Sequence, residues 1–208
     1  MGKKVLESSQ ALSATAAAQA ILNGGVIIYP TETVYGLGAN ALNIEAVEKV
    51  FEIKQRDRSK PILVLVPDEE SLDDLVMEVP EVARLLIRVF WPGALTLVFK
   101  AAPVVSPILT ANSGKIGIRL SSSEFCKRLL NICKIPITST SANLSGEPNP
   151  TSIDEINKTV RDAVDLIIDG GSLESGKPST VVDVSSGEVR LVREGVINFD
   201  EIIARLAQ

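Results

Sequence analysis

Two short stretches concentrate the groups that could do chemistry. In KQRDRSK, four cations fall between positions 54 and 60: Lys54, Arg56, Arg58 and Lys60. Alternate side chains share one side of an extended chain, so all four would face together if the segment is extended. Guanidinium forks match phosphate oxygens in pairs, and an ammonium supplies a point charge. The plainer reading is a solvated loop that Asp57 partly neutralises, because charge runs usually lie on the surface. In ITSTSANLSG, residues 137–146, an apolar strand entry leads into Thr138, Ser139, Thr140, Ser141 and Asn143. Small hydroxyls and an amide can hold phosphate oxygens, a ribose or a small polar substrate. Here the plainer reading is a capped turn.

A third stretch, PTETVYGLG at 30–38, follows another apolar run. Gly36 and Gly38 could let a ligand approach the backbone closely. Glu32 is its one acidic group, and a hydrogen-bonding role within the loop is at least as good a reading as catalysis. Ser179 and Thr180 open a later strand, and Arg193 with Gly195 follows another. Each of these alone is more often structural.

Several chemistries are excluded. The chain contains no histidine. Hydrolases with a histidine base, histidine-ligated zinc and histidine proton shuttles are therefore ruled out. Two cysteines, Cys126 and Cys133, lie seven apart, as on one helix face, and read as buried thiols in a reducing compartment. Neither a Walker A motif nor Gly-x-Gly-x-x-Gly occurs, so neither a P-loop nor a Rossmann dinucleotide site is indicated. The net charge is −5 and the pI about 4.9. Such a balance disfavours non-specific binding to nucleic acid or anionic membrane, so any anion site must come from local clustering. The amino-terminal MGKK and the later SATAAAQA look superficially like a signal peptide. Residues 7–10 interrupt the apolar stretch, and a lipidation signal is absent. No span suits a membrane, and the expected location is cytoplasmic.

These groups need elements to position them. Helices are predicted over 11–22, 45–54, 68–77, 80–90, 152–160 and 199–206, with another ending at Cys133 and capped by Ser122. Strands are predicted over 26–30, 61–66, 94–99, 115–120, 135–139, 164–169, 179–184 and 188–192. Residues 31–40 read as a loop. Trp91 should pack on the sheet, with a turn at Pro92-Gly93. Helices and strands intermix without strict alternation. That predicts an α/β fold with an open, twisted, mixed sheet and flanking helices, in one domain over 1–208. In such sheets ligands bind beside strand ends, where 30–38, 54–60 and 138–146 all fall.

Taken in order, PTETVYGLGAN, KQR followed by Lys60-Pro61, WPGALT, IGIR, STSANLSG, PST and VREG resemble the YrdC-like family of threonylcarbamoyl-AMP synthases. The resemblance runs over essentially the whole chain, which looks like a short form lacking a further carboxy-terminal domain. The family's KxR…SxN signature stands here as Lys54-Gln55-Arg56 and Ser141-Ala142-Asn143. The resemblance implies a positively charged cavity in the sheet. It also implies the formation of threonylcarbamoyl-adenylate and pyrophosphate from L-threonine, bicarbonate or CO2, and ATP, for the t6A modification of tRNA. Carried over by position, threonine contacts fall on Thr31, Arg119, Ser139 and Ser179. ATP contacts fall on Arg56, Lys60, Lys115, Ser141, Asn149 and Arg193. Lys54 and Asn143 complete the signature and shape or line the pocket, with Lys54 and Arg56 in the catalytic set. Arg119 is expected to grip the threonine carboxylate as a bidentate clamp. Mg2+ is expected with the triphosphate, without a dedicated protein site. Hand-over to a separate threonylcarbamoyl transferase and direct contact with RNA are further expectations. The competing readings are a YciO-type paralogue and a non-catalytic nucleotide- or RNA-binding module.

Overall fold

The computed structural model describes residues 4–207. The amino-terminal reading at Met1, Gly2 and Lys3 falls outside the described residues. Ten strands form one sheet, in the order β1-β8-β2-β3-β7-β4-β6-β5-β9-β10. They are β1 (Val5–Glu7), β2 (Ile27–Tyr29), β3 (Gly36–Gly38), β4 (Leu63–Leu65), β5 (Leu95–Lys100), β6 (Lys115–Arg119), β7 (Ile137–Ser141), β8 (Leu166–Asp169), β9 (Thr180–Asp183) and β10 (Arg190–Arg193). Parallel and antiparallel pairs mix: β4 runs parallel to β6 but antiparallel to β7, and β5 runs antiparallel to β6 but parallel to β9. This is the open mixed α/β sheet that the intermixed helix and strand patterns predict.

The helices are α1 (Ser13–Leu22), α2 (Ile44–Lys54), α3 (Leu72–Leu75), α4 (Glu81–Phe90), α5 (Glu124–Cys133), α6 (Lys158–Ala163) and α7 (Phe199–Leu206). They cover the two faces of the sheet unequally. On one face, α2, α3, α4, α6 and α7 bury Val50, Phe51, Leu75, Leu86, Val160 and Ile202 against Ile28, Leu37, Val64, Ile118 and Leu97. On the other, only α1 and α5 pack, burying Ala17, Ile21, Cys126 and Leu129 on Ile27, Tyr29, Leu65, Ile137 and Ile168. Side chains alternate between faces along each strand. On this second face the residues beyond the reach of α1 and α5 turn polar: Arg119 on β6, Ser139 and Ser141 on β7, Thr96 on β5. That uncovered region holds the cavity described below.

Several local expectations change. The stretch at 31–40, read as a loop, contains β3, which pairs with β2 on one side and β7 on the other. Glycine has little strand propensity of its own, so this strand exists through its neighbours. Its glycines make room for a side chain, and Gly36 also lines the cavity described below. A Cβ on Gly38 would lie 2.8 Å from the Tyr29 ring, and one on Gly36 would lie 3.2 Å away. The predicted helix at 68–77 shrinks to α3, because Val76 is extended (φ −124°, ψ 151°) and bridges to Ala101. The predicted helix at 152–160 splits into a 3-10 turn, Ile153–Glu155, and α6. Extended Ile156 separates them, and the Asn157 side chain caps α6 by accepting from Thr159 N. The cap of α5 is Ser123, not Ser122. At the edge, β1 pairs in parallel with β8 and gave no signal in the sequence.

Candidate active site

A cavity of about 110 Å³, open to solvent, lies on the half-covered face. Its walls come from distant parts of the chain. Thr31, Thr33 and Val34 arrive on the turn between β2 and β3. Arg56 and Pro61 lie on the connection from α2 to β4, and Leu63 opens β4. Arg119 ends β6, while Ser139, Thr140 and Ser141 run along β7. Asn149, Ser179 and Arg193 close the far side.

Much of this wall is held rigidly before any ligand arrives. The Thr31 hydroxyl donates to Val34 O at 2.7 Å and accepts from Thr33 N and Val34 N, which locks the turn. Thr138, within β7, donates its hydroxyl to Leu37 O and accepts from Ala39 N, stitching β7 to β3 below the cavity. Ser179 shares a hydrogen bond of 2.8 Å with Thr96. Leu63 rests over Gly117, where a Cβ would come within 2.3 Å of Leu63 Cδ2. Glycine at that position seats the apolar part of the wall.

Three guanidinium groups enter the cavity. Arg56 curls over its own loop, donating from Nε to Lys60 O at 3.1 Å and from Nη2 to Pro61 O at 2.9 Å. Arg193 donates from Nη2 to Ser179 O at 2.9 Å. Partial burial, then repulsion from Arg119 and Arg56, holds Arg193 below the usual arginine value. Arg119 is buried and forms an ion pair through Nη1 with Glu32 Oε1, while Nη2 lies 3.4 Å from Ser139 Oγ. The other Glu32 oxygen accepts from the Ser121 hydroxyl. A bidentate clamp by Arg119, as expected, would have to share Nη1 with Glu32. One Nη1 donor is engaged by Glu32, and Nη2 lies beside Ser139.

Lys54 and Asn143 occupy a different position from the one a catalytic role would need. The cavity wall does not include them; they lie behind it. The Lys54 ammonium donates to Ser141 O at 2.6 Å, to Asn143 O at 2.9 Å and to Asn143 Oδ1. Asn143 Nδ2 in turn reaches Glu147 O and Pro148 O, and Ser141 Oγ donates to Asn143 Oδ1 at 2.7 Å. The end of α2 is thereby tied to the loop that follows β7. Burial, then the nearby Arg56, pulls Lys54 down to about 7, while Glu147 pushes it up. Lys54 thus acts on the site through Ser141 rather than by touching a ligand.

Two further cations stand apart from the wall. Lys60 is exposed, and its carbonyl, not its ammonium, serves Arg56. Lys115 begins β6, four residues before Arg119, or roughly 13 Å along the strand. Its ammonium pairs with Asp183 at 2.7 Å. Sequence reasoning singled out Thr140 only as one hydroxyl of its cluster and gave no contact to Thr33, Val34, Pro61, Leu63 or Pro178, all of which line the cavity. Only the pairing of β4 beside β7 brings Leu63 there. Glu32 was visible as the one carboxylate of its segment, but its partner Arg119 is 87 residues away.

The Sua5–YciO–YrdC family model, described as "Telomere recombination", matches residues 19–195. The chain belongs to this family. Among curated members, it is 39% identical over 186 residues to the threonylcarbamoyl-AMP synthase of Pyrococcus abyssi, covering 89% of this chain and 55% of that protein. The crystal structure of P. abyssi Sua5 complexed with L-threonine superposes with a TM-score of 0.93 at 36% identity, over 99% of this chain and 61% of that one. E. coli YciO superposes with a TM-score of 0.83 at 30% identity, over 97% of this chain and 98% of that one. The chain thus spans little more than half the length of the P. abyssi synthase. Within the Sua5–YciO–YrdC family the KxR…SxN signature acquires a physical meaning here: Lys54 and Asn143 bind each other, and Arg56 and Ser141 face the cavity.

Proposed function

We propose that this protein is a threonylcarbamoyl-AMP synthase, making threonylcarbamoyl-adenylate and pyrophosphate from L-threonine, bicarbonate or CO2, and ATP. One observation carries the reading. Arg56, Arg119 and Arg193 converge with the hydroxyls of Ser139, Ser141 and Ser179 in one cavity. The P. abyssi relatives, named as a synthase and seen with L-threonine, support it.

The chemistry fits the side chains. The amine of threonine and CO2 give a carbamate, and its anionic oxygen attacks the α-phosphorus of ATP. The bond from that phosphorus to the bridging oxygen breaks, and pyrophosphate carries the electron pair away. The carbamate is already a nucleophile, so this step needs no histidine base. The protein's work is to bring two anions together and offset their repulsion. Arg119 Nη2 and Ser139 would hold the threonine end. Arg56, Arg193 and Ser141 would hold the phosphates, with Asn149 beside them.

Mg2+ is proposed to enter on the triphosphate. Among the described residues no three His, Cys, Asp or Glu side chains cluster as a metal site. Glu32, the carboxylate paired with the wall residue Arg119, is engaged by Arg119 and Ser121. On this reading the metal would be held by phosphate oxygens. The free thiols of Cys126 and Cys133 suit a reducing compartment, and we place the protein in the cytoplasm. Passing the adenylate to a separate threonylcarbamoyl transferase, and touching RNA itself, belong to the same proposal.

The test is pyrophosphate release from ATP. Release should require both L-threonine and bicarbonate and cease when either is omitted. The match to nearly all of E. coli YciO favours a second reading, a YciO-type paralogue with another acceptor. Release that proceeds without threonine would favour that reading over the synthase.

A further inference from the structure

The three arginines of the cavity differ in one respect that bears on how it sorts its ligands. Arg56 and Arg193 are braced by neutral carbonyls, those of Lys60, Pro61 and Ser179. Arg119 is braced by a carboxylate, Glu32, which Ser121 fixes from its other oxygen. Arg119 and Ser121 are almost wholly buried, at 4% and 2% exposure, so this pair is weakly screened by solvent. Glu32 also sits between Thr31 and Thr33 on the turn locked by the Thr31 hydroxyl, so its backbone has little freedom. The cavity is divided electrically along its length. One end presents a neutralised pair with a single outward donor edge. The other presents two guanidinium groups hydrogen-bonded to carbonyls, with no ion pair to a carboxylate among the described residues.

We propose that Glu32 is a positioning residue that splits the cavity into an amino-acid end and a polyphosphate end. It does so by neutralising Arg119 and aiming Nη2 beside Ser139. This rests on the synthase reading for the identity of the amino acid. The division of charge itself does not. A site with three free guanidinium groups would bind a polyphosphate at either end, and the product pyrophosphate would compete with the amino acid for Arg119. With Glu32 in place, a trianionic or tetra-anionic phosphate gains little at that end. A single carboxylate still finds one charged donor and one hydroxyl at the right separation.

The role predicts effects of opposite sign on two ligands, which simple loss of packing would not give. Calorimetric titrations with inorganic pyrophosphate and with L-threonine are run on the full chain and on Glu32→Gln. The variant should bind L-threonine about tenfold more weakly and pyrophosphate several-fold more tightly, tenfold being about 1.4 kcal/mol. Glu32→Asp, which restores the charge, should return pyrophosphate affinity towards that of the unsubstituted chain. Should Glu32→Gln fail to fold, Ser121→Ala removes one anchor and keeps the charge. It should weaken L-threonine about threefold and leave pyrophosphate unchanged. Both ligands weakening together in a folded Glu32→Gln, or neither changing, would overturn the proposal, as would a Ser121→Ala protein with unaltered threonine binding. An unsubstituted chain that ignores L-threonine, with Glu32→Gln still tightening on pyrophosphate, would sink the amino-acid reading and uphold the division of charge.

Discussion

Cations that look equivalent in the sequence differ sharply in what they can touch. Arg56 reaches the cavity, whereas the ammonium groups of Lys60 and Lys115 do not line it. Arg56→Ala should therefore cost about 2–5 kcal/mol in handling ATP, tens to thousands of fold in kcat/KM, with little change in Tm. Lys60→Ala and Lys115→Ala should each change kcat/KM less than about threefold, because exposed charges contribute little. Steady-state pyrophosphate release measures all three. The thiols give a prediction about pH. Burial pushes both Cys126 and Cys133 up from an ordinary value of 9 to about 11. The unfolded chain loses these protons from about pH 9, but the folded protein keeps them. The stability they contribute is thus full below pH 9 and is lost as pH rises through about 11. Burial likewise raises Tyr35 from an ordinary 10 to about 12, extending the same loss. Denaturant midpoints measured from pH 8 to 11 should fall steadily above 9. A thiol reagent at pH 8 should label neither cysteine until the protein unfolds.

At the scale of elements, the tie between α2 and the loop after β7 is the joint on which Arg56 and Ser141 both depend. Lys54→Met keeps the length of the side chain but removes every Lys54 donor, taking the ammonium from the Ser141 and Asn143 carbonyls while Asn143 Oδ1 keeps the Ser141 hydroxyl. Each buried acceptor left alone costs about 1–3 kcal/mol. Chemical denaturation should show a loss in that range or above, and turnover should fall because Ser141 moves, not because a charge has left the site. Glycine tells a related story. Gly38→Ala would drive a methyl into the Tyr29 ring and cost about 1–3 kcal/mol by overpacking. Most of these elements could be read from periodicity, since α1, α2, α4, α5 and α7 and the apolar strands carry their own pattern. The missing pieces had none. β3 is a Gly-Leu-Gly strand held only by its neighbours, and β1 pairs with a strand about 160 residues later in the chain. Of the site, Thr31, Arg56, Ser139 and Ser141 stood out as unusual types at strand ends. Leu63 and Val34 did not, because a residue that packs in the core and one that lines a cavity look alike in one dimension.

For the whole molecule, the net charge and the local charge have opposite signs. An overall −5 should repel polyanions at long range, yet the cavity gathers three guanidinium groups. Attraction at the cavity and repulsion from the rest are both screened by salt, but the former acts within one Debye length. Inorganic pyrophosphate should bind more weakly as salt rises from 50 to 500 mM, on the order of tenfold or more, while L-threonine affinity changes little. Equal salt dependence for the two ligands would contradict the division between them.

The unequal cover of the sheet also bears on how the molecule breathes. Strands β6 and β7 are shielded by helices on one side and, past Arg119 and Ser139, by nothing but the contents of the cavity on the other. Their amides should exchange with deuterium sooner than those of β2 and β8, which are roofed on both sides by α1 and the opposite layer. A bound nucleotide would then serve as the missing roof, slowing exchange in the centre of the sheet more than at its edges.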